Sequence, residues 1–273
     1  MSVKWGVGLH APASGHIDAS AYDQYIGRWS RLFVPSVLAA AEIGAGDRVL
    51  DVATGSGEAA QMAVSAVGDS GFVVGADVSS AMLAAALPRV SSERFGPVVM
   101  DGQLLAFPNA SFDGVLCQLG LMFFPDPARG LAEFRRVLRP GRCAGVCVIS
   151  SSDRVPMWGI LAETLSGYLP EQAAMLHLSF ALADAARLEL MFRAAGFQDI
   201  WVRKETREAI VDSFDEYWAP IEAGTGQMPQ AYLALPESSR RAVRAEVHDR
   251  LAKFQSKGRY RLSAEMLIGA GRA

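Results

Sequence analysis

Between Gly46 and Ser150 short apolar runs alternate with small-residue turns and with alanine- or leucine-rich stretches of helical spacing. Arg48 to Val52 reads as a strand stopped by Ala53-Thr-Gly-Ser-Gly57, and Glu58 to Ala66, rich in Ala and free of Pro, reads as the helix behind it. The same unit recurs. Phe72 to Ala76 is a second strand closed by Asp77, with Ser79 or Ser80 placed to cap a helix over Ala81–Ala86. Pro97 to Met100 is a third, ending at Asp101. Phe112 to Gln118 is a fourth, followed by a helix from about Pro127 to Leu138, and Ala144 to Ile149 is a fifth beyond the Pro140-Gly141 turn. Asp51, Asp77 and Asp101 stand 26 and 24 residues apart, the length of one right-handed strand–helix crossover. Such alternation predicts a mostly parallel sheet covered on both faces.

After Ser150 the texture changes. Asp153 to Ala183 is rich in Met, Leu and Ala without strand alternation, which predicts one or two helices. Ala185 to Ala195 is amphipathic and stops at Gly196, where a left-handed residue ends a helix. Ile200 to Thr206 alternates as a strand does. Val211 to Gln255 reads as helix broken by Pro220, Pro229 and Pro236, and Tyr260 to Ile268 is a last strand that would pair back onto the sheet. No Ser/Gly tract separates the halves. The reading is a single domain over 1–273: an N-terminal helical arm (1–44), a core (45–150), and two helical insertions (151–183 and 211–257).

Composition narrows the class. The chain has 273 residues, 51% of them hydrophobic, and a formal net charge of −3, which excludes a disordered chain. No uncharged apolar run reaches the roughly 18 residues of a membrane span, and the first residues carry no apolar targeting core, so a cytoplasmic protein is expected. Cys117, Cys143 and Cys147 are odd in number and sit in apolar runs (GVLCQLG, CAGVCVIS), which reads as buried free thiols rather than disulfides or a zinc site. The weakly acidic balance offers no field for nucleic acid. The charged run Arg240–Arg261 interleaves acids at helical spacing and reads as a solvated face.

In an open α/β sheet, ligands sit beyond the carboxyl ends of the strands. Gly55 and Gly57 follow the first strand, where missing side chains let backbone approach a ligand. Asp77 ends the second, where a carboxylate can accept both hydroxyls of a ribose, and Met82 can pack on an adenine face. Asp101, ending the third with Gly102 and Gln103, can accept from an exocyclic amine, and Gln118 ends the fourth. A dinucleotide fingerprint fails: placed on Ala53, Gly55 and Glu58, G-x-G-x-x-G matches only its middle glycine, and Glu58 has the wrong sign for a pyrophosphate. The loop suits an adenosine ligand without phosphates, such as S-adenosylmethionine. Plainer readings stay open: Asp51 as a loop cap, Met82 as core packing, and Asp113 holding the start of the fourth strand.

The segments VLDVATGSGEAA, GADVSSAML, DGQLLAFPNASFDGVL and LAEFRRVLRPG, with a weaker echo at MFRAAGFQDIWV, resemble a class I S-adenosylmethionine-dependent methyltransferase, in the ubiquinone/menaquinone C-methyltransferase-like branch. The resemblance implies a Rossmann-like, doubly wound α/β fold with a seven-stranded, mostly parallel sheet, an antiparallel last strand and helical lid insertions. It implies S-adenosylmethionine as cofactor. Asp51, Ala53, Thr54, Gly55 and Gly57 would hold its methionine end, Asp77 and Val78 its ribose side, Asp101, Gly102 and Gln103 its adenine, and Gln118 and Leu119 the floor below the sulfonium. Two positions depart from the family pattern: Ala53 stands where a first loop glycine is usual, and Arg142 where a second glycine follows Pro140-Gly141.

The stretch from Tyr22 to Trp29 resembles an arm that closes over the cofactor, with Tyr25 or Arg28 placed to bind the methionine carboxylate; an ordinary packed helix is the alternative. All five Trp, all six Tyr and all four His lie outside 45–150. Trp158, Tyr168, Met175, Phe180, Tyr217, Trp218 and Tyr232, in the insertions, suggest an aromatic pocket for a small organic acceptor methylated on oxygen or carbon. His177 is the candidate general base, with His10 and His16 reaching in only through a folded-over arm, and no metal is implied. The segment after the fourth strand lacks the signature of enzymes that methylate DNA-base amines. An NAD(P)-dependent oxidoreductase and a non-catalytic S-adenosylmethionine-binding protein remain the alternatives, and the oligomeric state is not legible.

Overall fold

The computed structural model describes residues 19–224 and 226–273. His10 and His16 lie outside them. Eight strands form one sheet: β1 (Arg48–Val52), β2 (Phe72–Asp77), β3 (Phe95–Val99), β4 (Phe112–Gln118), β5 (Leu138–Ile149), β6 (Gln198–Val211), β7 (Gln255–Ser256) and β8 (Arg259–Arg272). Their order is β3-β2-β1-β4-β5-β8-β6, with β7 pairing to β8 off that path. The ladders from β3 through to β5 are parallel, and β8 is antiparallel to both β5 and β6. Seven strands therefore make the expected mostly parallel sheet, and the two-residue β7 is an addition. The order reverses between β1 and β4, so a crevice opens at the carboxyl ends of these two strands.

Helices Val34–Ala40, Glu58–Val67 and Ser80–Val90 cover one face, and Pro127–Val137 and Ala185–Ala194 pack on the other. Helix Val34–Ala40 lies hard against β5: a Cβ at Gly145 would stand 2.5 Å from the Val37 carbonyl oxygen. β6 and β8 run longer than their alternation predicts. β8 pairs with β5 only from Met266 onward, but with β6 back to Tyr260. The excess is a two-stranded ribbon projecting past β5, and the second insertion sits on its end.

Pro220 does not break its helix. Helix Phe214–Glu222 runs through it, and the chain turns instead at Gly224 (φ +76°) and Gly226 (φ +106°). Pro229 falls in the first turn of helix Gln227–Leu233, where the missing N–H has no helical partner to lose. The charged helix Glu237–Leu251 buries Val243, Val247 and Leu251 and exposes most of its polar side chains.

Arg142, the departure at the Pro-Gly turn, has a structural task. Its Nε donates to the Asp113 carbonyl at 2.8 Å and its guanidinium pairs with Asp47. Asp113 in turn accepts from the Arg48 backbone N–H at 2.9 Å and from Arg139 at 2.6 Å, so one charged knot fastens the starts of β1, β4 and β5. All three cysteines are free and buried. Burial pushes each thiol up, Cys143 to about 11 with help from the Glu42 charge. No helix among the described residues is long and apolar enough to cross a membrane.

The contact at Gly145 can be tested. Gly145→Ala must displace backbone at Val37 and Ala41 and is expected to lower stability by about 2 kcal/mol or more in denaturant melts. Gly167→Ala, in the exposed last turn of helix Pro156–Tyr168 with open space around it, is expected to be neutral or stabilising by up to about 1 kcal/mol.

Candidate functional site

A cavity of about 610 Å³ opens at the carboxyl ends of β1, β2 and β4. Two loops with left-handed backbone shape its floor. After β1 these are Ala53 (φ +57°), Gly55 (φ +54°) and Gly57 (φ +86°), and after β4 Leu119 (φ +53°). Left-handed Ala and Leu are strained, and strain of this kind concentrates at functional loops. The two loops fit each other: a Cβ on Gly120 would stand 2.4 Å from that of Ala53, so alanine in the first loop requires glycine in the second.

Asp77 holds the first loop. One of its oxygens accepts the Gly55 N–H at 2.9 Å and the other the Ser79 N–H at 2.8 Å. The Ser79 hydroxyl then caps helix Ser80–Val90 by accepting from the Met82 N–H at 3.3 Å, which aims Met82 at the cavity. Asp51 is fully buried; one oxygen accepts from the Thr54 hydroxyl at 2.7 Å and the other has no partner. Burial raises its carboxyl, the Thr54 bond lowers it and the Asp77 charge raises it again, to about 7. Asp77 is also raised, chiefly by burial.

Asp51, Asp77 and Glu58 all line the cavity, and no Lys or Arg stands among its described lining residues. Besides Asp51 Oδ1, four polar atoms of described lining residues are buried without partners: the Tyr25 and Ser56 hydroxyls, Gln118 Oε1 and Gln227 Nε2. Such atoms are costly in a dry interior and mark where a polar ligand completes the bonding.

The arm, residues 19–31, closes one side. Gln118 Nε2 donates to the Ser30 carbonyl at 3.0 Å. Asp23 and Arg31 from the arm, Glu58 and Arg89 form a shared ion-pair cluster that pins it to helices Glu58–Val67 and Ser80–Val90. Tyr22 sits beside Gly55, its hydroxyl 3.7 Å from where a Cβ would be. Burial first, then the Asp77 and Glu58 charges, push its phenol well up, so it stays protonated. Glu58 has its charge answered by Arg31 and Arg89, so the electrostatic half of the case against a pyrophosphate does not carry over from the sequence. The missing cations in the lining replace it.

Of the expected site residues, Tyr25, Asp51, Ala53, Thr54, Gly55, Asp77, Val78, Met82, Gly102, Gln118 and Leu119 come together around this cavity. The others do not line it. Arg28 stacks on Trp29 with its charge 4.2 Å from the ring centroid and pairs with Glu216 at 2.6 Å, which takes it away from any ligand carboxylate. Gly57 faces inward, where a Cβ would meet Val90 at 2.9 Å. Asp101 accepts from the backbone N–H of Gln103 at 2.8 Å and from its side-chain amide at 3.1 Å, and Gln103 Oε1 accepts the Asp126 N–H at 2.7 Å. These two residues join the β3 exit to the cap of helix Pro127–Val137. His177 lies against Phe180, ring centroids 6.1 Å apart, off the cavity.

The aromatic pocket also needs correction. Of the insertion residues singled out, only Trp158 reaches the cavity. Trp218 stacks on Phe214 and meets Tyr232 edge-on, while the Tyr217 hydroxyl donates to the Met157 carbonyl at 2.6 Å, so these aromatics form the lid's own core. Ala223, Gly224 and Gly226, with Gln227, Met228, Gln230 and Leu233, make the lid's inner surface and share the cavity with Met122, Phe123 and Phe124. Tyr22, Ser56 and Glu58 were legible only as neighbours of the recognised motifs, and nothing in the pattern singled out Gln227.

The family described as "Methyltransferase domain" matches residues 50–146. The chain is 36% identical over 126 residues to the ubiquinone/menaquinone biosynthesis C-methyltransferase UbiE of Xanthomonas campestris, covering 45% of this chain and 48% of that protein, so it spans about half that relative's length. It is 30% identical over 183 residues to the demethylmenaquinone methyltransferase of Staphylococcus epidermidis, covering 62% of this chain and 76% of the relative. Among solved structures, a phosphoethanolamine N-methyltransferase 2 of Haemonchus contortus is similar with a TM-score of 0.58 at 19% identity, over 93% of this chain and 56% of that one. The [4+2]-cyclase SpnF is similar at 0.53 and 20% identity, over 89% of this chain and 81% of its own.

Asp51 yields a pH test. A carboxyl with an ordinary value of 3.8 is raised to about 7 in the fold, so the unfolded chain releases this proton first. Stability from this group is therefore greatest in acid, falls as pH rises from about 4 to 7, and is level above. Asp51→Asn, which has no charge to bury, is expected to melt higher than the wild type at pH 7.5, by up to about 4 kcal/mol, and to match it near pH 4. Melts of the ligand-free protein at both pH values check this.

Proposed function

The chain belongs to the class I S-adenosylmethionine-dependent methyltransferases, in the ubiquinone/menaquinone C-methyltransferase-like branch, and we propose that it transfers a methyl group to an oxygen or carbon of a small, largely apolar or aromatic acceptor. The observation that carries this reading is the charge of the cavity: Asp51 and Asp77 line it without a Lys or Arg among the described lining residues, and the third carboxylate, Glu58, is already paired with Arg31 and Arg89. A nucleotide with phosphates would be repelled there, whereas a ligand with an ammonium and a sulfonium would offset the carboxylates. When bound, S-adenosylmethionine supplies a methyl group on a positively charged sulfur that needs no further activation.

The residues fit that ligand by division of labour. Asp77, at the end of β2, keeps lone pairs free beside its two backbone bonds and would take the ribose hydroxyls. Asp51 Oδ1 and the Ser56 hydroxyl, both without partners, would meet the polar methionine end across the backbone of Gly55. Met82 and Met100 offer apolar contact for the base. The remaining work of the protein is alignment and exclusion of water. Met122, Phe123, Ile149, Trp158 and Met228 wall the rest of the cavity and favour an apolar acceptor body. The names of the Xanthomonas and Staphylococcus relatives point to a quinone ring methylated on carbon, and the acceptor we favour is a quinone-type or phenolic ring.

Calorimetric titration with S-adenosylmethionine and with S-adenosylhomocysteine tests the reading. Both are expected to bind at micromolar to submillimolar concentration, and Asp77→Ala is expected to weaken binding by about 30-fold or more, since charge-assisted bonds contribute about 1.5–3 kcal/mol each. Tight binding of NAD, with no binding of either sulfur ligand at millimolar concentration, would overturn it.

A further inference from the structure

The part of the cavity contributed by β4, β5 and the two insertions has an unusual chemistry. From Gln118 to Leu233 its described lining residues include no Asp, Glu, His, Lys, Arg, Cys or Tyr. Nothing there can take a proton from an acceptor. Two hydrogen-bond donors of lining residues are buried and unpaired beside this space: the Tyr25 hydroxyl, from the arm, and Gln227 Nε2, from the lid. They come from segments about 200 residues apart, and those segments meet. A Cβ on Gly226, the residue before Gln227, would stand 3.4 Å from Tyr25 Cε1. Tyr25 is buried, and Gln227 opens helix Gln227–Leu233. The arm also reaches the lid through Arg28 and Glu216, so the two donors are carried by elements fastened to each other.

We propose that Tyr25 and Gln227 form a two-donor clamp for the oxygen of an acceptor that enters already ionised, as a phenolate, hydroquinone anion or enolate, and that no described residue on the acceptor side of the cavity serves as a general base. This rests on the methyltransferase reading above. Burial holds the Tyr25 phenol well above its ordinary value, so it donates to an oxyanion and does not deprotonate a neutral acceptor. In the transfer, an electron pair of the anion, on oxygen or on the ring carbon conjugated with it, forms the new bond to the methyl carbon. The methyl–sulfur bond breaks with its pair left on sulfur, giving a neutral thioether. An oxygen acceptor ends as a neutral ether with no proton to lose. A carbon acceptor restores its conjugation by releasing the ring proton to solvent. Two bonds to an anion are strong where water is excluded, which lets the site select acceptors by acidity as well as by shape.

The test uses the full chain saturated with S-adenosylhomocysteine and 4-nitrophenol as probe, because its neutral and ionised forms absorb differently. The bound probe is expected to ionise about one pH unit or more below the free one, so the anion binds about tenfold or more tightly than the neutral phenol. Tyr25→Phe and Gln227→Leu are each expected to weaken the anion about 5- to 10-fold and leave the neutral form nearly unchanged. Gln227→Glu, of the same size, is expected to reverse the preference. Melting curves identify any variant that fails to fold, and the bound probe's titration in wild type decides the matter without variants. Equal binding of both forms, tighter binding of the neutral form, or no binding of either at millimolar concentration overturns the clamp. His177→Ala and a His10→Ala/His16→Ala double variant address the base: loss of methyl transfer to a phenol, restored at higher pH, in either one overturns the baseless step. If S-adenosylhomocysteine itself does not bind, the methyltransferase reading falls; if it binds and the anion preference is missing, only the clamp falls.

Discussion

The site depends on the Asp77 carboxylate bridging two backbone N–H groups. By accepting from Gly55 and Ser79 it ties the loop after β1 to the turn after β2. Neighbouring strand ends in a parallel sheet are otherwise joined only by their ladders, and loops beyond them are free to move. This bridge fixes the left-handed turn at Gly55 and sets the Ser79 cap, and the cap in turn orients Met82. Its electrostatic consequence is equally local. A second carboxyl, Asp51, is buried close enough for the Asp77 charge to raise it, in a cavity whose described lining holds no Lys or Arg.

Around that crevice the chain adds two covers that hold each other. The arm is fastened to the core by the Asp23, Arg31, Glu58 and Arg89 cluster and by the buried bond from Gln118 to Ser30. The lid stands on the β6–β8 ribbon and keeps its own aromatic core. Arg28 and Glu216 connect the two.

The sheet was legible because its signals are local. Asp51, Asp77 and Asp101 punctuate strand ends at crossover spacing, and the glycine loop stands beside the first. What escaped was decided by distant partners. Arg28 looked like a ligand for a carboxylate because its partner, Glu216, is 188 residues away. Gln103 and Asp101 looked like base readers because turn bonds between them leave no sequence signature that separates structure from binding. His177 was chosen as the histidine of the first insertion, yet its ring turned to Phe180. Of the insertion aromatics only Trp158 lines the cavity, because burying large rings against one another removes more apolar surface from water than lining an open pocket does. The inner surface of the lid was therefore left to small and flexible residues.

The three cysteines, described above as core residues, have a consequence for the kind of molecule this cavity can tolerate. Quinones are electrophiles that alkylate thiolates, and a protein that handles them in its interior risks arylating itself. Here every thiol is enclosed, and even the least enclosed, Cys143, is raised to about 11, well above neutral pH. Cys117 and Cys147 lie on the strands next to the crevice but within the packed sheet. The same packing that stabilises β4 and β5 thus makes the molecule chemically deaf to reactive rings, a tolerance that no residue of the binding surface has to provide.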